Sequence, residues 1–545
     1  MTRLDALRTV LDHVIALSPG DAVAFCATQY AASPDAYLLS LLAFAQCFAQ
    51  AFNDASDSAA RAIAESTDSE AAVFALAATA WAGSAWPTPY AGDALEDALA
   101  RLPDLDDTAP ESRAFTVYLL AESALGSARL DLANRIVELS GELPESFLAG
   151  PDRPPHAYVA MMQVMRVRLL GFQGRVTEAI ALIDAVRVTP GTATDFLVTA
   201  TRCLLVGNNA QRQAVRTIAD RLEGELGEPT DYISAGCYIL VSYGLIATAE
   251  IARAAQFVLA AGRTAGLEGL NFIDRALGLE MLVAAAAAEN DLDSAQAWQL
   301  QALPLLEQPI SRPTIERLNS RVALLAGDAA AAATWGELAI EHAEADGRAI
   351  EMAEGEIVLS RARIALSERG VASSRLEAMA TRAASSGHLS AQKSAARELR
   401  LIGRRLRPTS GSGWEGLSAR ERDVALLVAE GFGNQAIAAE LHLSEHTVQA
   451  HVSRVLAAFG AASRLSVAAQ LTLMLPRDPQ SAPLPELTPR QAMVAEQIAR
   501  GLTNDAIATD LGVSVKTVEK HVSEILRRWQ VASRIGIARL ALSAA

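Results

Sequence analysis

Leu417 to Ala468 reads LSARERDVALLVAEGFGNQAIAAELHLSEHTVQAHVSRVLAAFGAASRLSVA, and Leu487 to Ala538 reads LTPRQAMVAEQIARGLTNDAIATDLGVSVKTVEKHVSEILRRWQVASRIGIA. The two stretches align without a gap at an offset of 70 residues, and 22 of the 52 aligned positions are identical. Agreement of that density marks an internal duplication. Each copy reads as a succession of short helices. Ser418 with Glu421, and Thr488 with Gln491, have the spacing of a capping box, in which each partner takes a backbone N–H that the first turn leaves unpaired. Pro489 occupies the first helical position, where no N–H is needed. Gly431 and Gly501 end this helix, because a left-handed cap is unstrained for glycine. Asn434 and Asn504 are expected to cap a second helix whose buried i, i+4 pair is Ile437/Leu441 or Ile507/Leu511.

Ser444 and Ser514 then cap a third helix after a short turn, which is the layout of a helix-turn-helix. Helical periodicity turns Val448, Val452 and Val455/Leu456 inward in the first copy, and Val518, Val522 and Ile525/Leu526 in the second. The outward face is Glu445, His446, Gln449, Ala450 and Ser453, or Val515, Lys516, Glu519, Lys520 and Ser523. With the L-[ST]-x-R, G-x-x-N-x-x-I-A, L-x-[LV]-S-x-x-T-V-x-x-H-V and A-S-R elements present twice, both copies resemble the LuxR-type (GerE-like) helix-turn-helix domain. The resemblance implies binding to double-stranded DNA and transcription regulation in a bacterial-type cytoplasmic protein. It places base-contacting positions at Gln449, Ala450 and Ser453, and at Glu519, Lys520 and Ser523, with phosphate-contacting threonines at Thr447 and Thr517. Arg454 is a further candidate contact of the first copy. Gln449 suits adenine, Lys520 guanine and Glu519 the cytosine amino group, although Glu519 equally suits a surface ion pair with Lys516 or Lys520. Family members often carry a lysine two residues before the Ile-Ala of helix two; Gln435 and Asp505 stand there instead.

Charge separates the copies. Residues 417–475 hold four arginines against five acids, whereas residues 487–545 hold eight Lys+Arg against five. Attraction to phosphate supplies most non-specific affinity, so the second copy is expected to bind DNA more strongly, through Lys516, Lys520, Arg527, Arg528 and Arg534. Arg397, Arg400, Arg404, Arg405 and Arg407 stand just upstream of the first copy and are its available help. The whole chain carries −16, and with +1 on residues 417–545 the remaining residues carry −17.

Working outward, residues 404–416 are basic and then Ser/Gly-rich, a flexible tether, and residues 476–486 contain four prolines, a semi-stiff spacer of up to about 34 Å. That is about one turn of duplex, so one chain can offer two reading helices to adjacent sites. The competing expectation is a homodimer through the apolar fourth helix of the first copy, with Val467, Leu471, Leu473 and Met474, because family dimers use the fourth helix, here Leu465–Leu475 and Ile535–Ala544. Residues 1–403 read as successive amphipathic helices broken by Gly or Asp turns, as in Leu324-Leu325-Ala326-Gly327-Asp328-Ala329. That layout resembles tetratricopeptide hairpins, though no full repeat aligns. The expected fold is therefore all-α: a TPR-like helical solenoid followed by two small four-helix domains at 417–475 and 487–545. A concave solenoid face suits a small effector or a protein partner.

Enzymatic chemistry is not indicated. The three lysines are Lys393, Lys516 and Lys520, so residues 1–392 contain no phosphate-loop lysine, and no catalytic or metal-site motif occurs. Large LuxR regulators with a repeat-like body pair it with an ATPase and one terminal reader; this chain lacks the ATPase motif and doubles the reader. No cofactor or receiver-type phosphorylation domain is implied. Four scattered cysteines suggest no disulfide or zinc scaffold. Asp5, Arg8 and Asp12 interrupt the first apolar stretch as no signal peptide would, and polar residues or prolines break every candidate membrane span. The different-class alternative is a helical-repeat interaction scaffold whose helix-turn-helix copies no longer read DNA.

Overall fold

A computed structural model describes residues 1–545 except 89–91, 107, 141–146, 148–155, 265, 407–412, 415–416, 462, 475–484, 500–501, 530, 532–533 and 545. Among the described residues the elements are helices and no strand occurs, and no helix is long and apolar enough to cross a membrane. The chain divides into two compact units, residues 1–405 and 406–545.

The first unit is an array of helical hairpins, beginning with Arg3–Ile15 and Pro19–Ala32 and ending beyond Ala349–Ala365 and Arg369–Ser386 at Leu389–Leu401. One turn geometry recurs. Leu17, Gln50, Ala128, Gly174, Ala210, Ala249, Asn290, Gly327 and Ser367 all have positive φ. Each donates its N–H to the carbonyl three residues back, and the next residue donates to the carbonyl five back, as in Asn290 to Ala287 and Asp291 to Ala286. These paired bonds satisfy carbonyls that a helix end leaves open and reverse the chain in few residues.

Helices ten apart in chain order also touch. Arg3–Ile15 packs on Ala193–Asn208, Ala36–Phe48 on Tyr232–Ala247, Ser69–Ala85 on Phe272–Ala288, and Ala157–Phe172 on Ala349–Ala365. The array therefore closes one turn every five hairpins, with the first helix of each hairpin inside. Its interior is filled at one level by Phe48, Trp81 and Tyr232, with Phe48 and Tyr232 both edge-on to Trp81 at 5.1 and 5.3 Å. The inner helices approach closely at Gly207 and Gly244, where a methyl group on Gly244 would lie 2.6 Å from the Cys203 carbonyl oxygen. Buried charges are paired there: Arg317 donates to Glu280 at 2.7 and 3.0 Å and to Glu351 at 3.0 Å, and Arg168 to Glu122 at 2.7 Å. The expected concave face is thus occupied by the protein's own side chains along these contacts.

The second unit contains two four-helix domains. The first comprises Ala419–Glu430, Asn434–Leu441, Glu445–Ala458 and Arg464–Met474; the second comprises Pro489–Ala499, Asn504–Leu511, Val515–Trp529 and Arg534–Ala544. Each has its own core, built in the first from Val424, Val428, Ile437, Val448, Val455 and Leu471, and in the second from Val494, Ile498, Ile507, Val518, Ile525 and Ile537. Gly413 and Trp414, read from sequence as linker, dock on the first domain: Gly413 donates to the Ala458 carbonyl at 2.6 Å, and Arg422 lies 5.6 Å over the Trp414 ring. Most of the proline-rich spacer, and Gly501, lie outside the described residues.

Candidate nucleic-acid interface

Both capping boxes form as the sequence spacing requires. Ser418 accepts from the Glu421 N–H while Glu421 accepts from the Ser418 N–H at 2.9 Å, and Thr488 and Gln491 exchange the same bonds at 3.0 and 3.3 Å. The third helices start where expected, with Ser444 accepting from the Thr447 N–H at 3.1 Å and Ser514 from the Thr517 N–H at 3.2 Å. The hydroxyls of Thr447 and Thr517 lie 2.7 and 2.8 Å from those of Ser444 and Ser514, so each threonine is held at the N-terminus of its third helix. Backbone N–H groups there favour an anion.

The second helices are capped differently from the expectation. Gly433 and Thr503, not Asn434 and Asn504, hold the N-cap positions, and the Thr503 hydroxyl accepts from the Ala506 N–H at 3.3 Å. The asparagines serve another purpose. The Asn434 side-chain oxygen accepts from Arg464, and that of Asn504 from Arg534, and each arginine also donates to a carbonyl in the preceding turn, Phe432 or Leu502. Arg534, read from sequence as a phosphate contact, has its guanidinium engaged inside its own domain, and burial lowers the pKa of both arginines. A second pair of pegs, Arg420 and Arg490, ties the first helix to the Leu441 and Leu511 carbonyls that end the second. These two arginine positions recur in both copies, and that identity of position was the available signal; of the four residues, Arg534 alone was expected from sequence to contact DNA.

Val448, Val452 and Val455, with Val518 and Ile525, face the core as periodicity requires, while Gln449, Ala450 and Ser453, and Lys516, Glu519, Lys520 and Ser523, are exposed. Ser453 and Ser523 donate to the carbonyls of Gln449 and Glu519 at 3.0 and 2.9 Å, so their hydroxyls remain available as acceptors. Among the described residues neither Lys516 nor Lys520 has an ion-pair partner, and Glu519 pairs with neither. The two lysines are therefore free to meet phosphate or a base edge. Arg527 is exposed; Arg528 reaches Gln491 at 3.4 Å.

The first domain presents Glu445, His446 and Gln449 instead, and its nearest cation, Arg454, is tied to Glu421 at 3.2 Å. Burial opposes charge on Glu421, yet bonds from Ser418 and Arg454 hold its carboxyl below the usual range. The second copy exchanges these charges: Gln491 replaces Glu421 and donates to Glu524, the counterpart of Arg454, at 2.9 Å. The left-handed residue ending the second helix is Gly512 in the second domain and His442 in the first.

Residues 415–471 and 485–541 each match the family model described as bacterial regulatory proteins, luxR family. Both domains are luxR-family regulatory domains. The chain is 43% identical over 79 residues to a protein of Mycobacterium bovis named as an HTH-type transcriptional regulator, a stretch covering 14% of this chain and 9% of that one. It is 43% identical over 63 residues to a nitrate/nitrite response regulator homologue of Haemophilus influenzae, covering 12% and 30%, and 45% identical over 60 residues to the two-component response regulator PprB of Pseudomonas aeruginosa, covering 11% and 22%. The chain thus spans less than a third of each of these relatives. The Cut9–Hcn1 hetero-tetramer structure from APC/C aligns over 73% of this chain and 93% of that one at 12% identity, but its TM-score of 0.24 establishes no shared architecture.

Proposed function

We propose that this protein is a sequence-specific, DNA-binding transcription regulator of the cytoplasm. Its two luxR domains read duplex DNA, and its helical body receives an effector or a partner protein. The observation that carries the reading is the third helix of the second domain, whose exposed Lys516 and Lys520 stand unpaired beside a threonine held at the helix N-terminus. Fixed cations next to oriented backbone N–H groups suit phosphate, and the side chains beside them suit base edges in the major groove. The first domain, with no free cation on the equivalent face, supports a reading role for Gln449 and a smaller electrostatic share.

Selection of duplexes from a random pool by the full-length protein, at two salt concentrations, tests this. A salt-sensitive enriched motif is expected, and Lys520→Ala is expected to weaken binding and reduce the slope of log affinity against log salt by about 1. Absence of any enriched sequence would favour the interaction-scaffold reading.

A further inference from the structure

The fourth helices of the two luxR domains, Arg464–Met474 and Arg534–Ala544, pack on one another. Val467 and Leu471, expected from sequence at a contact between copies of the chain, are buried in the core of their own domain. The charged surface left without a partner lies elsewhere, on the last helix of the body, Leu389–Leu401. Lys393, Arg397 and Arg400 follow the i, i+4, i+7 spacing that puts side chains on one face, and all three are exposed. Arg404 and Arg405, also exposed, come directly after the left-handed Gly403. The one acid in residues 389–405, Glu398, is buried and accepts from Arg361 at 2.7 and 3.0 Å, so it neutralises none of them.

The rest of the body treats its cations differently. Residues 1–388 carry −21, and arginines such as Arg253, Arg363 and Arg375 are held by acids. On the last helix, Arg397 meets the Ser394 hydroxyl at 3.3 Å and Arg404 the Ser373 hydroxyl at 2.8 Å, both neutral. Like charges three and four residues apart destabilise a helix, and the helix dipole favours Arg400 in the last turn but not Lys393 two turns before it. A row of phosphates would offset that repulsion. We propose that this face is a third DNA contact, in which Lys393, Arg397 and Arg400 lie along the phosphate backbone beside the site that the first luxR domain reads. Seven residues, 406–412, separate Arg405 from Gly413, which docks on that domain, so binding of the domain confines the face to the neighbourhood of the same duplex. The body thereby supplies the positive charge that the third helix of the first domain lacks, and adds affinity without sequence information. The inference rests on the DNA-reading function proposed above.

Salt titrations of the full-length protein, on the selected duplex and on a scrambled duplex of equal length, test this. Each cation lost from a phosphate lowers the slope of log affinity against log salt by about 0.9. The variant Lys393→Ala/Arg397→Ala/Arg400→Ala is therefore expected to lose about 2–3 from the slope, on both duplexes alike. Alanine suits an exposed helical position, so the body is expected to keep its Tm. Arg135→Ala/Arg166→Ala/Arg187→Ala removes the same charge from exposed arginines elsewhere on the body and is expected to leave the slope unchanged. Lys393→Arg/Arg397→Lys/Arg400→Lys, which keeps the charges, is expected to keep the slope as well. An unchanged slope in the first variant, or an equal loss in the second, would overturn the inference. A lower body Tm with the slope retained would assign the cations to the helix itself and overturn it too. Equal wild-type affinity for the selected and scrambled duplexes counts instead against the DNA-reading function, and the slopes still decide the phosphate contact.

Discussion

Replacing Arg534 by alanine is expected to destabilise the second luxR domain rather than loosen its hold on phosphate. The guanidinium donates to the Asn504 side-chain oxygen and to the Leu502 carbonyl, joining the fourth helix to the turn that precedes the second. A hydrogen bond from a charged donor contributes about 1.5–3 kcal/mol net. The residue is only part-buried, so the lower end applies, and losing both bonds costs about 3 kcal/mol. That is a large fraction of the roughly 5–15 kcal/mol that holds a typical domain together. Hydrogen exchange of the full-length protein reads this locally: amides in 504–511 and 534–544 lose protection, while those of the first domain keep theirs. Asn504→Ala removes one of the two bonds, and the double variant is expected to cost less than the sum of the singles because the sites share a partner. If Arg534→Ala left protection unchanged and instead reduced the salt slope of DNA binding by about 1, the residue would be a phosphate contact and the reasoning refuted.

Three further expectations concern the scaffold. His442→Gly relieves a left-handed residue that the second domain makes glycine, and is expected to stabilise the first domain by about 1 kcal/mol, seen as slower amide exchange in 434–458. Gly244→Ala drives a methyl group against the Cys203 carbonyl between two inner helices and is expected to cost about 1–3 kcal/mol, seen as a lower body Tm. Burial lowers the His388 pKa to about 4, so its stabilising contribution is complete above the ordinary value near 6.5 and is lost as pH falls towards 4. Its share is about 3 kcal/mol, and His388→Leu is expected to flatten the acid limb of body stability over that window.

The helix-turn-helix pair was legible because its signals are local. A capping box needs two residues three apart, and the core faces of Glu445–Ala458 and Val515–Trp529 follow from helical period alone. The body resisted for an equally local reason. Nine of its described hairpin turns hold a left-handed residue, yet only Gly174 and Gly327 of those nine are glycine; Leu17, Gln50, Ala128, Ala210, Ala249, Asn290 and Ser367 adopt the conformation because packing on both sides holds them there. The repeat is regular in backbone and invisible in composition.

Sequence alone determined the duplication, the helix order of each luxR domain, the outward faces of the third helices and the uneven charge between copies. Tertiary structure alone decided that Asn434 and Asn504 hold arginines instead of capping helices, that helices ten apart close the body on itself, and that the two fourth helices dock. The division follows the range of the interactions. Caps and helical faces depend on neighbours within one or two turns, which spacing records. An arginine peg, a closed turn of hairpins and a shared interface depend on groups brought together from distant positions, and those partners exist only once the chain has packed.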